Sequence, residues 1–367
     1  FIRGQRCGFG GLLPLPSARP RGSRRRFSVH LEMQGAAREV PTGEAMSLKK
    51  ESEEQVVMHE EFTYINGAAT YIIKCGPWKD LCKNENTPKV LFLVIPGNPG
   101  FSEYYQVFIQ TLYRGLKQQY PVWVVSHAGH CQVPNGLKMT EETDNSDIDD
   151  VFGLRGQVEH KLSFLRKNVP NDVKLVLIGH SIGSYIALQI MNLAPDLEIL
   201  RCVHLFPTIE RMAQSPNGRI LTPLLCHLRY ILYMPMYLFT FLPERVKRFL
   251  VNYVLGDGCH EELKMAALHM LNMDSLANIF YMASQEMRMV TKRDNSTIRN
   301  HLKKLTFYYG ARDLWCPKQY YEEMKMEFPE GDIQLCERGI KHAFVLHSSE
   351  EMAEMVSGWV ADDLTGL

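Results

Sequence analysis

The stretch Lys174–Leu193, KLVLIGHSIGSYIALQIMNL, decides the reading of this chain. Its first part, Lys174 to Ile178, is a short apolar run of the kind shown by a strand buried on both faces. Its last part, Ser184 to Leu193, reads as a helix. Between them stands Gly179-His180-Ser181-Ile182-Gly183. G-x-S-x-G alone is short enough to arise by chance, and the plain alternative is a glycine-rich turn without chemical consequence. A strand directly before it and a helix directly after it are the context in which such a turn presents a serine hydroxyl at the carboxyl edge of a sheet. The sharp turn would hold Ser181 in a strained backbone conformation. Side chains at positions 179 or 183 would collide with the neighbouring strand and helix, hence the glycines.

The pattern repeats outward along the chain. FTYINGAATYIIKCG (62–76) predicts a hairpin turning at Asn66-Gly67. KVLFLVIPG (89–97), PVWVVSHAGH (121–130), RCVHLFP (201–207) and LTFYYG (305–310) are further strand runs. Helical patterns lie between them. In the clearest, Leu154, Val158, Leu162 and Leu165 share one face, with Glu159 and Lys161 off it. Strands alternating with helices predict a mostly parallel sheet covered on both sides.

A serine hydroxyl is too weakly acidic to attack an acyl carbon unaided; it needs a base, and the base needs an orienting acid. Asp313 follows the strand LTFYYG directly, in ARDLWCP. His342 lies in the loop RGIKHAF after a short strand candidate at Ile333 to Leu335. Among thirteen histidines, His342 is selected by its loop position and by order. The rival base, His347, falls in a helical pattern; the rival acid, Asp332, precedes its strand. Two amides should face the oxygen that becomes negative: that of Ile182, after the serine, and one from the loop Pro96-Gly97-Asn98-Pro99-Gly100. Pro99 has no N–H, so Asn98 is the natural donor. The order serine, acid, histidine belongs to the α/β-hydrolase fold, here expected with helices on both faces of the sheet and an inserted apolar cap.

Composition narrows the classes. Apolar residues make up 45% and charged residues 22%, a soluble globular balance. Forty-one basic residues balance forty-one acidic ones, which argues against nucleic acid as partner. Nine cysteines are scattered without a C-x-x-C pair, so reduced thiols are expected, with neither a metal cluster nor a disulfide framework. The chemistry outlined needs no metal and no organic cofactor.

Residues 1–57 read as an extension outside the fold. Phe1 to Leu31 superficially resembles a transit peptide, but Met46 is expected as the natural start. The core is expected in two parts, 58–206 and 305–367, interrupted by a cap at 207–304. Within that cap Leu221 to Leu242 is almost wholly apolar, with Arg219 before it and Arg245, Lys247 and Arg248 after it. Tyr230, Tyr233 and Tyr237 suit a lipid–water boundary, and Pro235 should kink any helix. The segment reads as a cap helix, as a hairpin dipping into one lipid leaflet, or as a spanning helix. The Met-rich run Lys264 to Met289 reads as packing.

As a set, IPGNPG with FSEYYQVF, SHAGH, GLRGQVEHKLSFL, LVLIGHSIGSY, LFPTIERMAQSPNGR, LTFYYGARDLWCP and KHAF resemble the lipid-droplet-associated hydrolase family, from about Val57 to the C-terminus. The resemblance implies a lipid ester substrate, weak cholesterol ester hydrolysis, a role in cholesterol and triglyceride homeostasis, and residence on lipid droplet and endoplasmic reticulum surfaces, cytosolic face. It carries the triad to Ser181, Asp313 and His342, and the droplet anchor to the segment around Leu221 to Leu242. Two other readings use the same residues. One is a droplet-surface binding or scaffold protein with an incidental hydrolase site. The other is an acyltransferase in which an alcohol, not water, resolves the acyl-enzyme.

Overall fold

Every side chain of Val90–Ile95 is buried, which happens only when both faces of a sheet are covered. The same holds for Val122–Val125 and Leu305–Gly310. A computed structural model describes residues 56–76, 89–141, 150–256 and 259–365. These belong to one unit, Glu54–Leu367. The transit-peptide-like segment, the expected start at Met46, and Cys7 and Cys82 lie outside the described residues.

The strands are β1 (Met58–Ile65), β2 (Ala68–Cys75), β3 (Val90–Ile95), β4 (Val122–Val125), β5 (Lys174–His180), β6 (Ile199–Leu205), β7 (Leu305–Gly310) and β8 (Asp332–Cys336). β1 and β2 form the expected hairpin, with Asn66 and Gly67 both at positive φ as a tight hairpin turn requires. The sheet order is β1-β2-β4-β3-β5-β6-β7-β8. Only the β1–β2 and β2–β4 pairs are antiparallel. From β3 the chain runs to β4 on one side and then returns to β5 on the other. The crevice beyond the carboxyl ends of β3 and β5 is therefore the topological switch point, where open α/β sheets bind ligands. Register pairs Ile95 with Gly179, so the loop Pro96–Gly100 and Ser181 leave the sheet side by side.

The core helices are α1 (Gln106–Gly115), α2 (Leu154–Asn168) and α3 (Ile182–Leu193). Between β6 and β7 come α4 (Pro216–His227), α5 (Arg229–Thr240), α6 (Glu244–Leu255), α7 (Glu261–Met270), α8 (Met273–Met289) and α9 (Asn295–His301). α10 (Lys318–Glu327), α11 (Ser349–Trp359) and α12 (Ala361–Thr365) complete the chain. The arrangement is the α/β-hydrolase fold.

Two local expectations are corrected, and one helix is more enclosed than its pattern shows. Lys161, off the apolar stripe of α2, is nonetheless fully buried, and its amine donates to the Ser126 carbonyl at 2.7 Å. α2 is enclosed on more than one side, so the apolar stripe marks only part of its contact surface. His347 is not helical but follows the 3-10 turn Phe344–Leu346. The apolar stretch 221–242 does not form one spanning helix. It breaks at Leu228 into α4 and α5, while Pro223 and Pro235 sit inside those helices. Among the described residues no helix is long and apolar enough to cross a membrane.

Candidate active site

Ser181 sits between β5 and α3 at φ 53°, ψ −120°, a conformation that side-chain-bearing residues seldom adopt and that surrounding packing must enforce. The flanking glycines show how. A Cβ on Gly183 would lie 2.1 Å from the carbonyl oxygen of Ile95, and one on Gly179 would lie 2.7 Å from the backbone of Gly183 and Ser184. The turn closes only because helix and strands meet there without side chains.

Tertiary structure brings the three polar residues into line. Ser181 Oγ lies 2.9 Å from His342 Nε2, and His342 Nδ1 lies 2.7 Å from Asp313 Oδ2. Asp313 also accepts from the amides of Trp315 (2.7 Å) and Cys316 (3.2 Å), and from the Cys316 thiol (3.1 Å). Burial by itself would raise this carboxyl. The hydrogen bond and charge of His342, with the Trp315 amide and the Cys316 thiol, outweigh it and hold Asp313 below its ordinary value. Burial, and then Asp313, push the Cys316 thiol well up, so it stays protonated and donates. Asp332 is elsewhere, accepting from Thr306 Oγ1 at 2.7 Å.

Asp313, Cys316 and His342 also put potential metal-ligand atoms within 4.8 Å of one another. Their hydrogen bonds use those same atoms on one another. A metal would have to break the His342–Asp313 bond and deprotonate a thiol whose surroundings favour the proton.

The loop beside the serine leaves one amide uncommitted. Pro96 and Pro99 have no N–H. Gly97 donates to Tyr105 Oη at 2.8 Å and Gly100 to His130 Nδ1 at 3.0 Å. Among the described residues only the Asn98 amide in this loop faces no protein acceptor. Ile182 opens α3, where first-turn amides have no intrahelical acceptor.

Sequence reasoning missed His180. Its Nε2 lies 2.9 Å from the carbonyl oxygen of His342 and its Nδ1 2.6 Å from Tyr105 Oη. A carbonyl can only accept, so Nε2 carries the proton and Nδ1 accepts from the tyrosine. Burial, and then the neighbouring His342, push His180 down to about 3; it is neutral. No pattern singles it out, because it occupies the variable position of G-x-S-x-G.

Asn98, His180, Ser181 and His342 line a cavity of about 490 Å³, a usual size for a small-molecule site. The rest of its wall is apolar, including Met236 and Phe239 of α5 and Leu250, Val251 and Val254 of α6. Val254 is 79% exposed, so it belongs to both cavity wall and outer surface. Met234 and Leu238 of α5, Phe241 at its end, and Phe249 and Tyr253 of α6 are also exposed.

A family model described as lipid-droplet associated hydrolase matches residues 88–345. The lipid droplet-associated hydrolase of Gallus gallus is 60% identical over 324 residues, covering 87% of this chain and 100% of that protein. That of Homo sapiens is 49% identical over 324 residues, covering 87% and 99%. Among solved structures, a haloalkane dehalogenase from Bradyrhizobium elkani matches with a TM-score of 0.55 at 13% identity, over 85% of this chain and 100% of that one. That likeness speaks for the α/β-hydrolase fold alone. With the family match and these relatives, the chain belongs to the lipid-droplet associated hydrolase family and is a hydrolase.

Proposed function

We propose that this hydrolase is a serine carboxylic ester hydrolase acting on lipid esters, with sterol esters the first class to test. The observation that carries the reading is the unbroken line Asp313–His342–Ser181, whose serine and histidine line a mostly apolar cavity. Ser181 Oγ attacks the acyl carbonyl while His342 Nε2 takes its proton, and Asp313 holds the imidazole in the required tautomer. The amides of Asn98 and Ile182 receive the oxyanion. Collapse expels the alcohol, which takes the proton from His342. Water, activated by the same histidine, then releases the fatty acid from Ser181. The reaction so written draws on no metal or organic cofactor. The apolar wall favours a long acyl chain.

The relatives' names and the exposed apolar residues of α5 and α6, bordered by Arg245, Lys247 and Arg248, support attachment to lipid droplets; the cytosolic face of the endoplasmic reticulum is a second surface to test. The extent of the exposed apolar surface also favours a second reading, in which binding to lipid is the main work and hydrolysis is incidental. A fluorophosphonate probe, applied to wild type, Ser181→Ala and His342→Ala with the adduct mapped by mass spectrometry, tests the first. Labelling at Ser181 that both variants lose is expected. Folded wild-type protein that takes no label would overturn it.

A further inference from the structure

Glu286 lies near the C-terminal end of α8, far from Ser181 in sequence, and is 2% exposed. Burying a carboxyl is costly unless it is hydrogen-bonded. Among the described residues, one side chain reaches it: Asn98 Nδ2 donates to Glu286 Oε1 at 2.8 Å. The same nitrogen donates to the carbonyl oxygen of Ile279, about two turns earlier in α8, at 3.1 Å. Both acceptors thus come from α8, and both protons of the Asn98 amide group are used by it. The backbone N–H of the same residue is the uncommitted amide of the loop Pro96–Gly100, and Asn98 lines the cavity with Ser181 and His342.

Resting on the ester hydrolase reading above, we propose that Glu286 is a positioning residue for the oxyanion hole: it grips the Asn98 side chain so that the Asn98 amide stays aimed at the reacting oxygen. The other loop amides are held by groups within the core, Tyr105 and His130. The Asn98 side chain is held directly from α8, so placement of the second oxyanion donor depends on the helices between β6 and β7 being seated. Oxyanion donors work by being fixed before charge develops, and small misplacements are expensive. Glu286 touches no substrate in this account; it acts through Asn98.

The test measures kcat and KM on a water-soluble p-nitrophenyl ester for wild type, Glu286→Ala, Glu286→Gln, Asn98→Ala and the double alanine variant, with Ser181→Ala as the control. Thermal unfolding checks that each protein is folded. Glu286→Ala is expected to lower kcat by roughly ten- to a hundredfold, with KM within about twofold, since an oxyanion contact is made mainly in the transition state. Glu286→Gln keeps an acceptor oxygen for Asn98 and is expected to restore kcat to within about threefold of wild type. The double variant should be no worse than the poorer single one, because both remove one contact. If Glu286→Ala does not fold, Glu286→Gln and Asn98→Ala decide: a normal kcat in the first and a lowered one in the second support the proposal. A wild-type kcat in Glu286→Ala or in Asn98→Ala overturns it, as does multiplication of the two losses in the double variant. Those outcomes leave the ester hydrolase reading standing so long as Ser181→Ala is inactive; activity retained in Ser181→Ala removes both.

Discussion

His180 and His342 are joined by a hydrogen bond from imidazole to main chain: Nε2 of the first donates to the carbonyl of the second at 2.9 Å. The residue before the proposed nucleophile thereby holds the loop that carries the proposed base. Through Tyr105 Oη the same imidazole reaches the amide of Gly97, beside the proposed oxyanion donor. The segment 97–105 and the loop at His342, distant in sequence, are both tied to one buried, neutral ring.

Removing that ring should disturb geometry more than substrate affinity. His180→Ala is expected to lower kcat by roughly a hundredfold, the order attached to a misplacement of about 1 Å, with little change in KM. Tyr105→Phe, which breaks only one arm, should cost less. Steady-state kinetics on a soluble ester would reveal whether the two losses fall in that order.

Gly183 tests the closure of the turn. A methyl group there would press on the backbone oxygens of Ile95 and Pro96, and backbone in a central strand cannot give way like a flexible side chain. Gly183→Ala should destabilise the protein by about 3 kcal/mol or more, the upper range for overpacking. Urea unfolding followed by tryptophan fluorescence would measure it; a change within about 0.5 kcal/mol would contradict the steric account.

Acid should unfold this protein early. Burial holds His130, His180 and His204 at about 3, and His127 and His160 well below their ordinary value. The unfolded chain takes up protons near 6.5 where the native state does not. The stability is therefore present above 6.5 and is lost as pH falls from there toward 3, at about 1.4 kcal/mol per pH unit for each proton. His204 stacks on Phe307 with ring centroids 4.5 Å apart, and neither of its ring nitrogens has a protein partner among the described residues. His204→Phe should flatten the acid limb by one proton and raise stability at pH 5. Glu286 works in the opposite sense. Burial raises it to about 7, so it withdraws stability as pH rises from about 4.5 to 7. Denaturant midpoints across pH 4 to 8 would separate the two slopes.

The exposed face of α6 should govern attachment to lipid. Phe249 is 67% and Tyr253 79% exposed, and burying such side chains is worth about 1.5–3 kcal/mol each. The double substitution Phe249→Asp with Tyr253→Asp should weaken flotation with triglyceride emulsions at least about tenfold. Hydrolysis of a short soluble ester should stay within about twofold. Equal flotation of both proteins would place the lipid contact elsewhere.

The sheet was legible along the chain because the signals are local. Apolar runs the length of a strand, ending in glycine or proline, mark β3, β5 and β7 whatever packs on them, and Asn66-Gly67 dictates a hairpin by backbone sterics alone. The positions of Ser181, Asp313 and His342 could be named because each follows a recognisable strand. The burial of Lys161 was not legible for the complementary reason: periodicity tells which face of a helix is apolar but not how many neighbours enclose it. The break at Leu228 was missed because Pro235 is the more conspicuous signal, yet it lies inside α5.

The amino-acid sequence by itself therefore determined the α/β alternation, the serine turn and the order of the polar residues, since these rest on covalent spacing and local backbone preference. Only the tertiary structure decided that His180 is a strut, that Cys316 steadies Asp313, and that Glu286 holds Asn98. Each of those roles is a contact between side chains whose meaning comes from burial. Removed from water, an imidazole stays neutral, a thiol keeps its proton and a carboxyl needs a partner, and no linear pattern records which groups the fold will enclose together.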